Sequence, residues 1–167
     1  MKNRIYFEKF TSEEDFRYLL TLVSNEKVMI MNFGRAFLLE EAKKYYKRVL
    51  ENNKKHKDFG HFKVFEATTN TFIGMGELSI SDDFTEAEIG YLLLPEYWGK
   101  GYGSKIAREL LTKAEETKSI LRVTATTDPN NIASKKILLN SDFVSYKIYE
   151  IDDGSSAEMF SKEIAHF

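Results

Sequence analysis

Apolar and polar positions alternate from residue 4 to residue 10, which predicts a first strand. Thr11 lies three residues before Glu14, the spacing of a capping box, and Phe16, Leu19, Leu20 and Val23 follow at helical intervals. A helix is therefore expected over about 12–24. A second, over about 39–55, is rich in Glu and Lys and has the composition of a solvated face. The apolar connection between them, residues 28–37, has the character of a segment that docks on the core or lines a cleft. Strand patterns at 62–68 and 72–80 flank Thr69 and Asn70, which reads as a hairpin. Residues 88–94 form the next strand, apolar on both faces near its end, as in a central strand. Ile106, Ala107, Leu110, Leu111 and Ala114 mark one face of a helix over about 103–117. A strand at 121–127, a short helix at 133–139 and a hairpin of 143–151 with 157–164 around Asp152, Asp153 and Gly154 complete the chain. The order β-α-α-β-β-β-α-β-α-β-β predicts an α/β fold, a mixed sheet with helices on both faces.

Composition narrows the classes. The 167 residues suit one domain spanning 1–167. A net charge of −2 with interspersed signs gives no basic footprint for nucleic acid or a membrane surface. There is no cysteine, so disulfides, thiolate zinc sites and a cysteine nucleophile are excluded. The opening MKNRIYFEKF lacks the apolar region of a signal peptide, and no run approaches the ~20 residues that span a bilayer. A cytoplasmic protein is expected. His56 and His166 have no partners at ligand spacing, and no metal is expected.

The chemistry is concentrated in AEIGYLLLPEYWGKGYGS, residues 87–104, where a strand enters a glycine-rich turn that opens a helix. Free N–H groups and the helix dipole together favour an anion there, and glycine lets the backbone approach phosphate closely. A P-loop is excluded because no glycine is correctly placed before Lys105. Gly99, Gly101 and Gly103 give G-x-G-x-G, not the G-x-G-x-x-G of a dinucleotide fold.

EIGYLLLPEYWGKGYGSKIARELL, with NIASKKILLNSDF downstream, resembles the GNAT superfamily of N-acetyltransferases. It is most similar to the branch that acetylates ribosomal-protein N-termini, the RimJ/RimL-like enzymes. The resemblance implies a GNAT-like fold with splayed central strands and acetyl-CoA as cosubstrate. The family's pyrophosphate motif falls on Trp98, Gly99, Lys100, Gly101, Tyr102 and Gly103, with Trp98 in place of the usual Gln or Arg. It implies that Leu92, Leu93 and Leu94 offer main-chain groups to the pantetheine arm and the thioester carbonyl. Residues 100–104, ending at Ser104, would offer N–H groups to the pyrophosphate, and Asn131 would contact the arm or cap the helix that follows.

Acetyl transfer to an amine needs that amine neutral. A lysine-like amine with pKa of about 10.4 is neutral about one time in a thousand at pH 7, a deficit of about 4 kcal/mol. By resemblance Glu88 is the general base, half-buried and acting through water, with Glu77 in reserve; the alternative is a surface carboxylate paired with a lysine. The tyrosine general acid of many family members is absent, since Leu138 and Leu139 stand near its place and Asp142 replaces the following glycine. Ser134 is the substitute proton donor, or else a helix-packing or capping residue. The expected activity is direct transfer to a primary amine, a protein N-terminus or a small molecule, by a monomer or homodimer. The alternative is a non-catalytic acyl-CoA-binding regulatory module. Asp152 and Asp153 hint at a cationic acceptor.

Overall fold

The computed structural model describes residues 3–150 and 154–166. Its elements are β1 (Ile5–Lys9), α1 (Phe16–Val23), α2 (Glu26–Met29), α3 (Leu39–Asn53), β2 (Gly60–Glu66), β3 (Thr71–Ile80), β4 (Glu86–Leu93), α4 (Tyr102–Glu115), β5 (Arg122–Thr127), α5 (Ile132–Asn140), β6 (Val144–Glu150) and β7 (Ser156–Glu163). The seven strands form one sheet in the order β1-β2-β3-β4-β5-β7-β6. All neighbours are antiparallel except β4 and β5. That parallel pair is the expected β-α-β crossover, with α4 as its helix. The expected mixed α/β sheet is the fold observed. The turn expected around Asp152, Asp153 and Gly154 falls in part on residues 151–153, which lie outside the described residues.

Strand alternation divides the core between the two faces of the sheet. On one face α4 buries Ile106, Ala107, Leu110, Leu111 and Ala114, the stripe its sequence predicted, against Val64, Ile73, Leu78, Ile89, Val123 and Phe160. On the other, α1, α2 and α3 pack Leu19, Leu22, Val28, Tyr46 and Val49 against Phe65, Phe72 and Met75. Each fully buried large side chain contributes roughly 1.5–3 kcal/mol, so both faces matter to stability.

Two local expectations change. No capping box forms at Thr11 and Glu14. The chain takes a 3-10 turn, Glu13–Asp15, with Ser12 at its N-cap. Asp15 commands the corner instead: its Oδ2 accepts the Thr11 N–H at 3.0 Å, and its Oδ1 accepts from buried Lys63 at 2.9 Å. Residues 28–37 also hold more structure than their pattern suggested. Asn25 caps α2 by accepting the Lys27 and Val28 N–H groups at 3.0 and 3.3 Å. Arg35 then grips Glu41 through two bonds of 2.7 and 2.8 Å, while Glu41 also accepts the Leu38 N–H and starts α3. The connection both docks on the core and borders a cleft.

The site is positioned by the β4–β5 pair. Its register holds only at Glu86↔Arg122, Ala87↔Val123 and Glu88↔Thr124. Beyond Glu88, β4 stays paired to β3 while β5 stays paired to β7, and the two strands splay. Residue 86 turns its carbonyl to the β3 side, where Ser81 donates to it at 2.8 Å, and Leu94 donates to Ile73 at 2.9 Å. Thr85 turns to β5, accepting from Leu121 at 2.7 Å. An antiparallel ladder alternates in this way, so Tyr91 and Leu93 present their main-chain groups to the splay.

Candidate active site

A strand end, a tight turn and two helix starts build the site. Trp98 folds back so that its indole Nε1–H donates to the Leu93 carbonyl at 2.7 Å, tying the turn to the end of β4. Gly99 and Gly101 take φ of +72° and +90°, a left-handed backbone that glycine enters without the Cβ penalty. Gly101 is the N-cap of α4 and has no side-chain cap. The first intrahelical bond there runs from Lys105 N–H to the Gly101 carbonyl at 3.3 Å. Helix geometry therefore leaves the amides of Gly101, Tyr102, Gly103 and Ser104 without an intrahelical acceptor. Asn3 Nδ2 braces the turn by donating to the Lys100 carbonyl at 2.6 Å.

These amides open on a groove of about 530 Å³ between α4, α5 and α2. Leu92, Leu93, Trp98, Gly99, Gly101, Gly103, Ser104 and Asn131 all line it. Lys100 and Tyr102 turn their side chains to Tyr97, the Lys100 ammonium 5.9 Å over its ring and the Tyr102 ring edge-on at 5.8 Å, so they offer main chain alone. Leu94 has its N–H bonded to Ile73, and the Leu93 carbonyl is taken by Trp98. The expected three-leucine ladder thus narrows to Leu93 N–H and Tyr91. A groove lined by free amides at a helix start and by an open strand edge fits a pyrophosphate with an amide-bearing arm. Asn131 caps α5, its Oδ1 accepting the Ser134 N–H at 3.2 Å, and borders the same groove.

A second cavity of about 240 Å³ lies in the splay, under α1, α3 and their connection. It shares Asn32, Tyr91, Leu92 and Ser134 with the groove, so the two meet there. At that junction the Tyr91 hydroxyl and Ser134 Oγ are 3.3 Å apart. Burial pushes the Tyr91 hydroxyl above its ordinary pKa, so it keeps its proton. The sequence reading placed Ser134 but missed Tyr91, which comes from a strand 43 residues upstream.

Two carboxylates stand on the α1–α3 face of the sheet. Glu88 is exposed, not half-buried as expected, and lies outside the linings of both cavities. Local desolvation, then the charge of Glu77, raise its pKa, against an opposing hydrogen bond from Thr126. Glu77 lines the smaller cavity. Burial pushes its pKa up, but bonds from His61 and Ser79 outweigh this and hold it below the ordinary value. Ser79 Oγ donates to Glu77 at 2.9 Å, and His61 Nε2 lies 3.5 Å from its other oxygen. The sequence placed His61 before a strand, able to face the acceptor; in the structure it faces Glu77. Its ring is buried and Tyr45 meets it edge-on at 6.0 Å.

The chain matches the family model for an acetyltransferase (GNAT) domain over residues 4–144. Among curated relatives, the uncharacterized N-acetyltransferase YoaA of Bacillus subtilis is 29% identical over 76 residues, 45% of this chain and 43% of that protein. The uncharacterized N-acetyltransferase p20 of Bacillus licheniformis is 31% identical over 83 residues, 49% of this chain and 47% of that protein. The match thus spans less than half the length of these relatives. Solved structures share the fold at low identity. A GNAT-family acetyltransferase from Bacillus anthracis superposes with a TM-score of 0.79 at 18% identity, covering 96% of this chain and 95% of that one. Spermidine N-acetyltransferase from Vibrio cholerae, in complex with CoA and spermine, gives 0.78 at 15%, covering 95% of each. The Salmonella typhimurium acetyl transferase that modifies the N-terminal serine of ribosomal protein L7/L12 gives 0.80 at 19%, covering 96% of this chain and 95% of that one. With a family match across most of its length and the splayed sheet to accompany it, this chain belongs to the GNAT acetyltransferase family.

Proposed function

We propose that the protein transfers an acetyl group from acetyl-CoA directly to a primary amine. The observation that carries this reading is the junction of the two cavities in the β4–β5 splay, with the Tyr91–Ser134 pair at the meeting point. Acetyl-CoA supplies the activated thioester. The amides of residues 101–104 hold its pyrophosphate by charge-assisted hydrogen bonds, each contributing very roughly 1.5–3 kcal/mol. The Leu93 N–H, turned to the splay, faces the charge that develops on the thioester oxygen.

Amine nitrogen forms a bond to the acetyl carbon as the carbon–sulfur bond breaks. Glu88, through water, takes the proton the amine loses. Ser134 Oγ–H gives a proton to the departing thiolate and regains one from solvent in the groove, while Tyr91, which keeps its own proton, orients the serine hydroxyl through their shared contact. This arrangement supplies a proton donor despite Leu138 and Leu139 at the family's tyrosine place.

Steady-state kinetics with Ser134→Ala and Tyr91→Phe test the reading. Loss of a positioned proton donor lowers kcat by about 10²-fold or more, with CoA affinity retained. Full activity in both variants would remove the pair from the chemistry. Binding of CoA with no transfer to any amine would favour the regulatory-module alternative.

A further inference from the structure

One cavity and one buried cluster have no task in holding the cofactor. The 240 Å³ cavity is walled by Val23, Met29, Phe33, Phe37, Tyr45 and Met75. Glu77 is the one carboxylate on its lining, and no Lys or Arg is there among the described residues. Gly90 leaves that carboxylate uncovered: a Cβ built at Gly90 would lie 3.7 Å from Glu77 Oε2. Behind it, Ser79 and His61 fix both carboxylate oxygens. The other ring nitrogen of His61, Nδ1, is buried without a hydrogen-bond partner, so the polar contact of the ring is the one that Nε2 makes with Glu77.

We infer that this chamber receives the acceptor, and that the acceptor is a primary amine on a compact apolar body, with neither a carboxylate nor a second cation near the amine, its ammonium paired with Glu77. The inference rests on the acetyl-transfer reading and names the acceptor class for it. Charge selects first. An acceptor carboxylate would meet Glu77 with no counter-ion in the chamber. A second ammonium would be desolvated among aromatic and aliphatic walls with no partner. Size selects next, since 240 Å³ is below the ~300 Å³ from which drug-sized ligand sites begin. Position completes the case. The chamber opens to the groove at Tyr91 and Ser134, so an amine leaving Glu77 is already beside the proposed proton donors. Glu77 recognises the ammonium, and Glu88, the more basic carboxylate, takes its proton.

The test compares 2-phenylethylamine, a tripeptide amide beginning with Phe, phenylalanine, spermidine and a tripeptide amide beginning with Ser, each with the full chain and acetyl-CoA. Acetyl transfer to 2-phenylethylamine, the Phe peptide or both, at least tenfold higher in kcat/KM than to the other three, is the expected result. Their ratio tells a free amine from an apolar N-terminal residue. Calorimetry with CoA-loaded protein gives a second readout: 2-phenylethylamine binds, and Glu77→Gln weakens it at least tenfold while leaving the CoA affinity unchanged. Gln preserves the shape of Glu77 and an acceptor for Ser79; should the variant not fold, the comparison of amines decides without it. Preference for phenylalanine, spermidine or the Ser peptide overturns the acceptor class and leaves acetyl transfer standing. Binding of CoA without transfer to 2-phenylethylamine or the Phe peptide also overturns the class. No binding of acetyl-CoA overturns both.

Discussion

At the scale of single residues, the carboxylates of Asp15 and Glu88 shift in opposite directions because their neighbours differ. Asp15 is held by Lys63 and by the Thr11 N–H, and its pKa is lowered because these bonds outweigh the effect of burial. Removing it strands a buried ammonium whose other carboxylate, Glu8, is 3.6 Å away and largely exposed. Asp15→Ala is expected to destabilise the protein by about 3 kcal/mol in urea unfolding. The sign follows for pH: a depressed carboxyl stabilises the fold above its unfolded pKa, and that contribution is lost as pH falls through the folded value. Glu88 has the opposite shift, chiefly from desolvation. Its raised pKa weakens the fold slightly as pH rises through it, and as a base it works only when ionised. kcat/KM is therefore expected to fall as pH drops through a pKa above the ordinary glutamate value, and Glu88→Gln is expected to lower turnover and flatten that limb. A limb unchanged in Glu88→Gln would take Glu88 out of the proton path.

At the scale of elements, the cofactor turn and the β3–β4 pair depend on missing side chains for two separate reasons. Gly101 needs its left-handed backbone, and a Cβ there would also lie 3.0 Å from Asn3 Nδ2. Gly101→Ala is expected to cost about 1–2 kcal/mol from the backbone alone, and to weaken CoA binding measured by calorimetry because the amides of α4 shift. Gly74 has an ordinary φ, but a Cβ there would lie 2.3 Å from the Leu92 carbonyl oxygen. That atom is main chain and cannot rotate aside, so Gly74→Ala is expected to force β3 and β4 apart. A melting temperature unchanged in Gly74→Ala would show that the strands have room to spare. The Asp142 position teaches the reverse lesson. It keeps φ of +69° after α5 although glycine is absent, and Phe143 still donates to Leu138 at 3.1 Å. Asp is among the residues that tolerate this region.

At the scale of the whole molecule, ligand binding and folding are linked because the groove is assembled from α2, β4, α4 and α5 together. Acetyl-CoA at about 100 times its dissociation constant adds about 2.7 kcal/mol to the folded state. For a chain of this size that corresponds to about 5–10 °C in thermal unfolding. Coenzyme A is expected to give a shift of similar sense, and NADH and ATP none. No shift with either CoA form would contradict the cofactor assignment. The two cores on opposite faces of the sheet also predict that α1–α3 and α4 unfold together, since β2 and β3 contribute side chains to both.

The strands and longer helices in their order (α2 excepted), the stripe of α4 and the glycine turn were legible in the sequence because each is a local matter: a periodicity, a cap or a backbone conformation reads within a dozen residues. Leu22 on α1 and the 3-10 turn at Asp15 escaped that reading, because burial in the core of the α1–α3 face and the pull of Lys63 decided them. Ser134 and the turn glycines were named from the chain, but their neighbours were not. Tyr91 on β4 meets Ser134 on α5, and His61 meets Glu77 across the β2–β3 pair, through packing and register that no local pattern states. The sequence by itself determined which segments form the strands and main helices and where a glycine turn opens α4. Only the tertiary structure decided that β4 and β5 part after three pairs, because that follows from β4 staying with β3 and β5 with β7, and the cavity at the centre of the site exists only where they part.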